Sequence, residues 1–315
     1  MNVLSLFDGM SCGQIALDKL DIPVNKYFAA EIDKYAIQVA KKNYPDMIHL
    51  GDVKEIDPNE LPKIDLLIGG SPCQGFSFAG KQLNFDDPRS QLFFEYVRLL
   101  KALKPKYFLL ENVKMKKESM DIITEYLGVE PVEINSNLVS AQNRKRLYWT
   151  NIPMDGLPQD KGILLKDILE PVEQIDDVYY YSDKSIAYME RGNEKWQQAG
   201  NRRADRYTQT PDTEKAFTIT ANFHKGVPYN YFDDIREKSK CVRSGGRLSY
   251  DRHEWDSVDT NHIRKLTVTE CERLQTVPDG YTCGVSNTQR YKMLGNGWTV
   301  DVIKHIFEGL KEETQ

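Results

Sequence analysis

The cysteine at position 73 has a sequence environment typical of a reactive thiol. It follows Ser71-Pro72 at the end of an apolar run, within the sequence GGSPCQGFSFAGKQ at 69–82. Proline restricts the backbone before the cysteine, and the glycine- and serine-containing sequence after it favours a loop over further strand. A thiolate is the strongest side-chain nucleophile at neutral pH when its pKa is lowered or its substrate is held against it. Cys73 is therefore a candidate nucleophile, although a lone cysteine is more often a buried packing residue.

Glycine and acidic residues at other predicted strand ends suit an adenosine-containing ligand. Gly9 lies in a turn between the first strand and the first helix, where a ligand can approach the backbone and the helix N-terminus. Glu31 is placed to accept hydrogen bonds from a ribose, and Asp52 to accept from an adenine amino group. The glycine spacing differs from GxGxxG, which disfavours a nicotinamide cofactor. Taken singly, each residue is also compatible with an ordinary turn or a surface acid.

Glu111 and two arginines add an acid and two anion-binding groups. Glu111-Asn112 closes a further predicted strand, where a partly desolvated carboxyl could act as a general acid and Asn112 could cap the next segment. In QNRKR at 142–146, Arg144 and Arg146 alternate on one face of an extended segment that leads into apolar residues. Paired guanidinium groups suit phosphate or base-carbonyl recognition, and a solvated charge run is the alternative.

These residues can form one site only if the fold brings the ends of several strands together, and the sequence predicts such a fold. Apolar runs separated by single helices indicate an α/β fold with a doubly wound, mostly parallel sheet and helices on both faces. The predicted strands lie at 3–7, 26–33, 47–53, 64–70 and 106–113. Ligands bind outside the carboxyl ends of such strands. Each candidate named above, apart from the arginines, lies at or just after one of these ends, so we expect them to share one rim.

The rest of the chain predicts a second, smaller domain rich in loops and short strands. Residues 154–262 contain many turn formers and aromatic residues but no long amphipathic helix. Helical patterns return after 262, with one helix capped by Thr267 or Thr269 and a final helix that carries an apolar stripe. We therefore expect one domain at 1–153 together with 263–315, and the other at 154–262.

The composition argues against several functional classes. The five cysteines are scattered without zinc-like spacing, so neither a disulfide framework nor a metal site is expected. The formal net charge of −5 means that nucleic acid would have to be held by local basic patches. No apolar run approaches the length of a membrane span, and the start has no signal-peptide pattern, so the cytoplasm is the expected compartment.

Several motifs, in order along the chain, resemble those of the DNA (cytosine-5) methyltransferases of bacteria and phages. The match covers residues 1–152 and 263–310, with the motifs FDGMSCG, GGSPCQGFS, LLENV, QNRKR, RKLTVTECERLQTVPD and LGNGWTV. The first motif lacks the bacterial F-x-G-x-G-G spacing and resembles that of the mammalian de novo methyltransferases, whereas the arginine motif is of the bacterial type. The resemblance implies a Rossmann-like class I methyltransferase fold. It also implies methyl transfer from S-adenosylmethionine to cytosine in double-stranded DNA, with S-adenosylhomocysteine as the second product.

The resemblance further implies roles for individual residues. Cys73 would attack C6 of a cytosine flipped out of the duplex, while Glu111 would hold the base edge at N3 and the amino group. Arg146, supported by Arg144, would contact the cytosine O2. The residues expected to bind S-adenosylmethionine are Phe7, Asp8, Gly9, Gly13, Glu31, Ile32, Asp52, Val53, Pro72, Leu92 and Asn296.

Contacts with DNA are expected from two regions. Residues 75–90 resemble the family's catalytic loop, which closes over the flipped base, and residues 154–262 occupy the place of its target recognition domain. The candidate DNA-binding residues are Gln74, Ser77, Lys81, Gln82, Arg89, Arg202, Arg203, Arg206, Asn222, His224, Lys225, Arg243 and Arg247. The enzyme is expected to act as a monomer on DNA without a metal or a membrane. A cognate restriction endonuclease is a further candidate partner.

Other interpretations remain open from the sequence. A tRNA-directed branch of the same family shares the catalytic motifs, but the C-F-T signature typical of that branch is absent. A catalytically silent DNA- or nucleotide-binding module would have lost Cys73 or Glu111, and both are present. A cysteine hydrolase would need a histidine partner, and none lies near Cys73 in the sequence.

Overall fold

The structure is a computed structural model of the 315-residue chain. It describes residues 1–71, 88–182, 184–188, 191, 209–225, 232–234 and 263–311. The predicted residues that lie outside these ranges are Pro72, Cys73, Gln74, Ser77, Lys81, Gln82, Arg202, Arg203, Arg206, Arg243 and Arg247. The side chain of Arg89 is also outside the described part of the chain.

A seven-stranded sheet forms the centre of the molecule. Its strand order is β3-β2-β1-β4-β5-β7-β6, in which β1 to β5 are parallel neighbours and β7 runs antiparallel to both β5 and β6. The strands are β1 (Asn2–Leu6), β2 (Lys26–Ala30), β3 (Ile48–Gly51), β4 (Leu66–Gly69), β5 (Tyr107–Val113), β6 (Val132–Asn135) and β7 (Lys145–Thr150). The predicted doubly wound, mostly parallel sheet is confirmed.

The apolar runs form central strands because their side chains alternate between two hydrophobic cores. In β4, Leu66 and Ile68 point into one core and Leu67 into the other. In β5, Leu109 and Leu110 divide in the same way, and all five of these side chains are fully buried. A strand that is covered on both faces needs an apolar residue at each position, so it reads as a continuous run.

Helices cover both faces of the sheet. They are α1 (Cys12–Asp18), α2 (Lys34–Asn43), α3 (Pro88–Leu103), α4 (Lys117–Leu127), α5 (Leu165–Ile168), α6 (Val268–Leu274), α7 (Asn287–Asn296) and α8 (Val300–Phe307). The expected apolar stripe of the last helix is buried, and α8 packs against α1, where Lys19 and Asp301 form an ion pair at 2.7 Å. None of the helices in the described ranges is both long and apolar enough to span a bilayer.

Outside this sheet lies a small antiparallel sheet of β8 (Phe232–Asp233) and β9 (Ile263–Arg264). The fully buried Arg264 guanidinium binds Asp234 at 2.8 Å and donates to both carboxylate oxygens of Glu270 at 2.7 and 2.8 Å. Glu270 also completes the cap of α6, whose N-cap residue is Thr267 and not Thr269. This ion cluster joins the small sheet to the first turn of α6. It therefore fixes the position at which α6 begins relative to the small sheet.

Candidate active site

A cleft with a volume of about 680 Å³ opens at the carboxyl ends of the central parallel strands. Gly9, Glu31 and Asp52, which follow the first three strands, line it together with Glu111 on β5. The sheet order puts β4 and β5 side by side, so the segment that leads from β4 toward Cys73 lies next to the Glu111 strand. One rim therefore gathers the candidate residues of the described strand ends, as the sequence predicted.

The turn between β1 and α1 is built from left-handed residues. Phe7, Gly9 and Ser11 have φ angles of 56°, 59° and 66°. Nothing lies within 4 Å of the position where a Cβ on Gly9 would stand, so glycine is suited there by its backbone conformation and not by crowding. The Gly9 N–H donates to Glu31 Oε2 at 2.8 Å. The turn thus faces the cleft and is held against the end of the next strand.

Glu31 has its carboxylate fixed by backbone donors. Its Oε1 accepts hydrogen bonds from the N–H groups of Ile32 and Asp33, each at 2.8 Å, in addition to the Gly9 bond on Oε2. The neighbouring Ile32 side chain is 74% exposed and lines the cleft. An immobile carboxylate beside an exposed apolar side chain suits a ligand that combines hydroxyl groups with a flat ring.

Asp8, in the same turn, has a buried carboxyl that is held by two hydroxyl donors. Tyr27 donates to its Oδ1 at 2.9 Å and Ser11 to its Oδ2 at 2.5 Å. Burial, with a smaller contribution from the negative charge of Glu31, raises the pKa of Asp8 to about 6, although the hydroxyl donors oppose the shift. Burial also raises the pKa of the nearby Cys12 thiol to about 12, so this cleft-lining cysteine remains protonated at neutral pH.

We expect Asp8→Asn to change how stability depends on pH. The pKa of Asp8 in the folded chain, about 6, exceeds the ordinary value of 3.8, so the native state binds this proton more tightly than the unfolded state does. The wild type therefore loses stability as pH rises from the unfolded value through the folded one. Relative to Asp8→Asn, it should lose about 1 kcal/mol between pH 5 and pH 8. Urea unfolding of both proteins at the two pH values checks this, and parallel pH dependence would contradict it.

Asp52 and Val53 form the next part of the rim. Asp52 caps a short 3-10 turn by accepting from the Lys54 N–H at 3.0 Å, and Val53 is buried. Arg98 of α3 donates to the Val53 carbonyl at 3.2 Å, which fixes the turn to the helix that follows the Cys73 segment. Leu92 of α3 and Asn296 at the end of α7 also line the cleft.

Glu111 is the acid that β5, the last of the parallel strands, contributes to the rim. It is buried, with 8% exposure, and its Oε1 lies 3.0 Å from the Nε of Arg146. Its Oε2 accepts from the indole Nε1 of Trp298 at 3.1 Å. Arg146 reaches it from β7 because Val113 pairs with Arg146 and Glu111 pairs with Tyr148, which makes the acid and the guanidinium diagonal neighbours.

Arg144 has a different role from that of Arg146. Its buried guanidinium donates to the backbone carbonyls of Ile219 at 2.9 Å, Gly295 at 3.0 Å and Gly297 at 2.8 Å. Burial, with a contribution from Arg146, lowers its pKa to about 10, which leaves it protonated at neutral pH. The residue was predicted to be catalytic, but these backbone carbonyls engage its guanidinium. Its guanidinium therefore joins the start of β7 to α7 and to the 209–225 segment, and its predicted part in catalysis, in support of Arg146, stays a prediction.

The backbone that leads to Cys73 is anchored by Asn112. The Asn112 amide donates to the carbonyl and the hydroxyl of Ser71 at 3.2 and 3.3 Å, and both residues are buried. Asn112 was a candidate cap, and it does accept from the Val113 N–H at 2.8 Å. Its contact with Ser71 fixes the chain two residues before the candidate nucleophile.

Several predicted residues meet in this cleft. Those that line it are Phe7, Asp8, Gly9, Glu31, Ile32, Asp52, Val53, Leu92, Glu111, Arg144, Arg146, Asn222, His224, Lys225 and Asn296. Gly13 does not, because it is buried in α1, where an added Cβ would lie 2.3 Å from Ile68 Cδ1. The expected cofactor contact of Gly13 stays a prediction, and its small size permits the packing of α1 on the sheet.

The sequence interpretation missed other residues of the site. Trp298 was quoted within a motif without a role, and Gln289 and Lys292 of α7 line the wall that also carries Lys225. The available signal for Trp298 was an aromatic hydrogen-bond donor directly after Gly295-Asn296-Gly297. No three metal-ligating side chains of the described ranges are gathered as a metal site.

Residues 216–219 of the 209–225 segment are hydrogen-bonded to residues 141–144 of the arginine segment. The Ala216 N–H donates to the Ala141 carbonyl at 2.7 Å, and the Ala216 carbonyl accepts from the Asn143 N–H at 2.8 Å. Gln142 Oε1 accepts from the Ile219 N–H at 2.8 Å. At Gly295, an added Cβ would lie 2.2 Å from the carbonyl carbon of Thr220. The backbone of α7 therefore approaches this segment more closely than any side chain would permit.

Comparison with known proteins shows the family. The model of the C-5 cytosine-specific DNA methylases matches residues 1–312. The type II methyltransferase M1.ScrFI of Lactococcus lactis subsp. cremoris is 32% identical, with 98% of this chain and 78% of the relative covered. The type II methyltransferase M.NlaX of Neisseria lactamica is 31% identical over 98% of this chain and 96% of its own. The orphan methyltransferase M.SPRI of Bacillus phage SPR is 28% identical over 98% and 97%.

Solved structures agree on the fold. The S. pombe Dnmt2 methyltransferase has a TM-score of 0.69 at 18% identity, with 99% of both chains covered. The Entamoeba histolytica methyltransferase EhMeth has a TM-score of 0.74 at 17% identity, with 100% of this chain and 99% of its own covered. At these identities the likeness shows the fold alone. Together with the family match, the predicted resemblance and enzyme class are confirmed: this chain belongs to the C-5 cytosine-specific DNA methylases and is a DNA cytosine methyltransferase.

Proposed function

We propose that this enzyme transfers a methyl group from S-adenosylmethionine to C5 of a cytosine that is turned out of double-stranded DNA, through a covalent bond between Cys73 and C6. The observation that carries the proposal is the buried Glu111 carboxyl. It is held between Arg146 and Trp298 at the edge of the cleft, on the strand next to the one that leads to Cys73. A buried acid beside a guanidinium matches the hydrogen-bonding edge of cytosine, which offers N3, the amino group and O2.

The residues at the other end of the cleft fit S-adenosylmethionine. Glu31 presents a fixed carboxylate for the ribose hydroxyls, the exposed Ile32 offers an apolar surface for the adenine ring, and Asp52 stands at the next strand end. The left-handed turn at Gly9 leaves open space for the amino acid part of the ligand. When bound, this group supplies an electrophilic methyl on a sulfonium.

The chain's own residues would perform the remaining chemistry. Cys73, as a thiolate, forms a bond to C6, and the electrons of the C5–C6 double bond move toward N3, where Glu111 provides a proton. C5 then forms a bond to the methyl group as the sulfur–methyl bond of the donor breaks, which leaves S-adenosylhomocysteine. Loss of the C5 proton to a base, together with departure of the Cys73 sulfur and return of the N3 proton, restores the aromatic ring. Arg146 would hold the cytosine O2 during these steps.

The base must leave the stack before Cys73 can reach C6. We assign the closing loop to residues 75–90 and target recognition to residues 154–262, with the catalytic domain at 1–153 and 263–315. Lys225 and Lys292 line the cleft, which supports phosphate binding there by a chain whose net charge is −5. A cognate restriction endonuclease is a proposed partner, and the bacterial cytoplasm or a phage-infected host is the proposed site of action.

Bisulfite sequencing tests this function directly. We expect DNA from cells that express the chain, in a host without its own cytosine methylation, to resist conversion at cytosines within one short sequence context. The Cys73→Ser variant, expressed to the same level, is the control and should leave no such context. Complete conversion of DNA from the wild-type culture would contradict the proposal. Bisulfite sequencing of tRNA from the same culture is the second measurement. Resistance to conversion in tRNA but not in DNA would instead support the tRNA-directed branch of the family.

A further inference from the structure

The Glu111 carboxyl is held on both oxygens by donors from separate parts of the chain. Arg146 of β7 engages Oε1 at 3.0 Å, and Trp298, in the junction between α7 and α8, donates its indole N–H to Oε2 at 3.1 Å. A carboxylate offers about four acceptor positions, so further ones remain for a ligand. With both oxygens engaged, the plane of the carboxyl is set before any base arrives.

The bond between Trp298 and Glu111 lies directly on the backbone that leads to the nucleophile. A Cβ added to Gly70 would stand 3.0 Å from Glu111 Oε2 and 3.0 Å from Trp298 Nε1. Gly70 follows the last residue of β4 and precedes Ser71, which Asn112 anchors. A larger residue at position 70 would therefore crowd both partners of this hydrogen bond.

The backbone on either side of Trp298 is fixed as well. The Gly297 carbonyl accepts from the Arg144 guanidinium at 2.8 Å. The Thr299 hydroxyl donates to Gln275 Oε1 at 2.8 Å and accepts from Ser136 at 2.9 Å. The backbone that carries the indole is therefore held in place on both sides of Trp298.

We propose that Trp298 is a positioning residue of methyl transfer, which fixes the Glu111 carboxyl through its indole N–H so that the remaining acceptor and proton positions face the base. The inference rests on the proposed function of Glu111. A charge-assisted hydrogen bond of this kind is stronger than a neutral one, and it costs little reorganisation at the moment of reaction. The aromatic ring, which lines the cleft, is a separate feature from the N–H, and the two can be separated by substitution.

Trp298→Phe removes the N–H and keeps most of the ring. We expect kcat for methyl transfer to fall about 10- to 100-fold, while the dissociation constant for S-adenosylmethionine changes by less than about threefold. Calorimetric binding of S-adenosylmethionine also shows that the variant is folded. Trp149→Phe is the matched control, because Trp149 donates its indole N–H to Thr124 at 3.0 Å on the same sheet but outside the cleft. Its kcat should stay within about twofold of the wild type.

A double-mutant cycle with Glu111→Ala decides whether Trp298 acts through Glu111. In that background Trp298→Phe should lower the single-turnover rate by less than about twofold, because the partner of the N–H is gone. Equal losses in both backgrounds, or a wild-type kcat for Trp298→Phe, would overturn the inference. Absence of methyl transfer by the wild type itself would instead contradict the proposed function, so the two failures are distinguishable.

Discussion

Cys73→Ser is expected to abolish methyl transfer, with a loss of at least about a thousandfold in kcat. A serine hydroxyl is not ionised at neutral pH and cannot form the bond to C6 that makes C5 nucleophilic. Binding of S-adenosylmethionine should change by less than about threefold, because the proposed binding residues Glu31, Ile32 and Asp52 belong to other strand ends. Transfer of tritium from labelled S-adenosylmethionine to a duplex with the recognised sequence measures the first quantity, and calorimetry the second.

A duplex with 5-fluorocytosine at the target gives an independent measurement for Cys73. After methyl transfer the fluorine cannot leave C5 as a proton does, so the bond between the sulfur and C6 persists and a covalent complex should be visible in a denaturing gel. Cys283→Ser is the control, since Cys283 is a partly exposed free thiol that does not line the cleft. This control should form the complex as the wild type does. A complex formed by Cys73→Ser would refute the assigned nucleophile.

Glu111→Gln is expected to lower kcat about 100- to 10,000-fold. The amide keeps the size of the side chain and can still accept from Trp298, but it supplies no proton to N3 and forms no ion pair with Arg146. Affinity for a duplex with the recognised sequence should change far less, because phosphate contacts carry most of the binding energy. The comparison is single-turnover methyl transfer against equilibrium binding of the same duplex.

Glu133→Gln provides the matched control for Glu111. Glu133 lies on the edge strand β6, where it pairs with Lys114 at 2.9 Å and Lys145 at 3.6 Å, and these lysines lower its pKa. The same chemical change at this partly exposed site, outside the cleft, should leave kcat within about twofold of the wild type. Near-wild-type turnover by Glu111→Gln would mean that another group activates the base.

The sequence predicted the rim of the sheet well because two local signals coincide there. An apolar run such as Leu66–Gly69 marks a strand buried on both faces, and the polar residue that follows marks its end. Gly9, Glu31, Asp52 and Glu111 could therefore be assigned to one edge before the strand order was known. The antiparallel β7 was foreseen only as an extended segment, because its partners β5 and β6 are fixed by non-local pairing.

Residues that act through distant contacts could not be predicted in this way. Trp298 reaches Glu111 across 187 positions of sequence, and no local pattern encodes that contact. Arg144 and Arg146 are alternate residues of one segment, yet one binds backbone carbonyls and the other a carboxylate. The alternation of side chains along an extended segment predicts that both arginines lie on one face. Their different partners depend on tertiary contacts that this alternation does not encode.

Given the proposed assignment of target recognition to residues 154–262, the bonding of residues 209–225 to the arginine segment determines which part of the chain we expect to be exchangeable between relatives. A chimera joined at 154 and 262 would bring foreign residues against Gly295 and into the shell of carbonyls around Arg144. Misplacement there would be transmitted through Gly297 to Trp298, and from Trp298 to Glu111, the proposed catalytic acid. The unit suited to exchange is therefore 226–262, with Asp234 retained as the partner of Arg264. On the proposed assignment of target recognition, we expect the recognised sequence to be exchangeable without loss of catalysis only along that inner boundary.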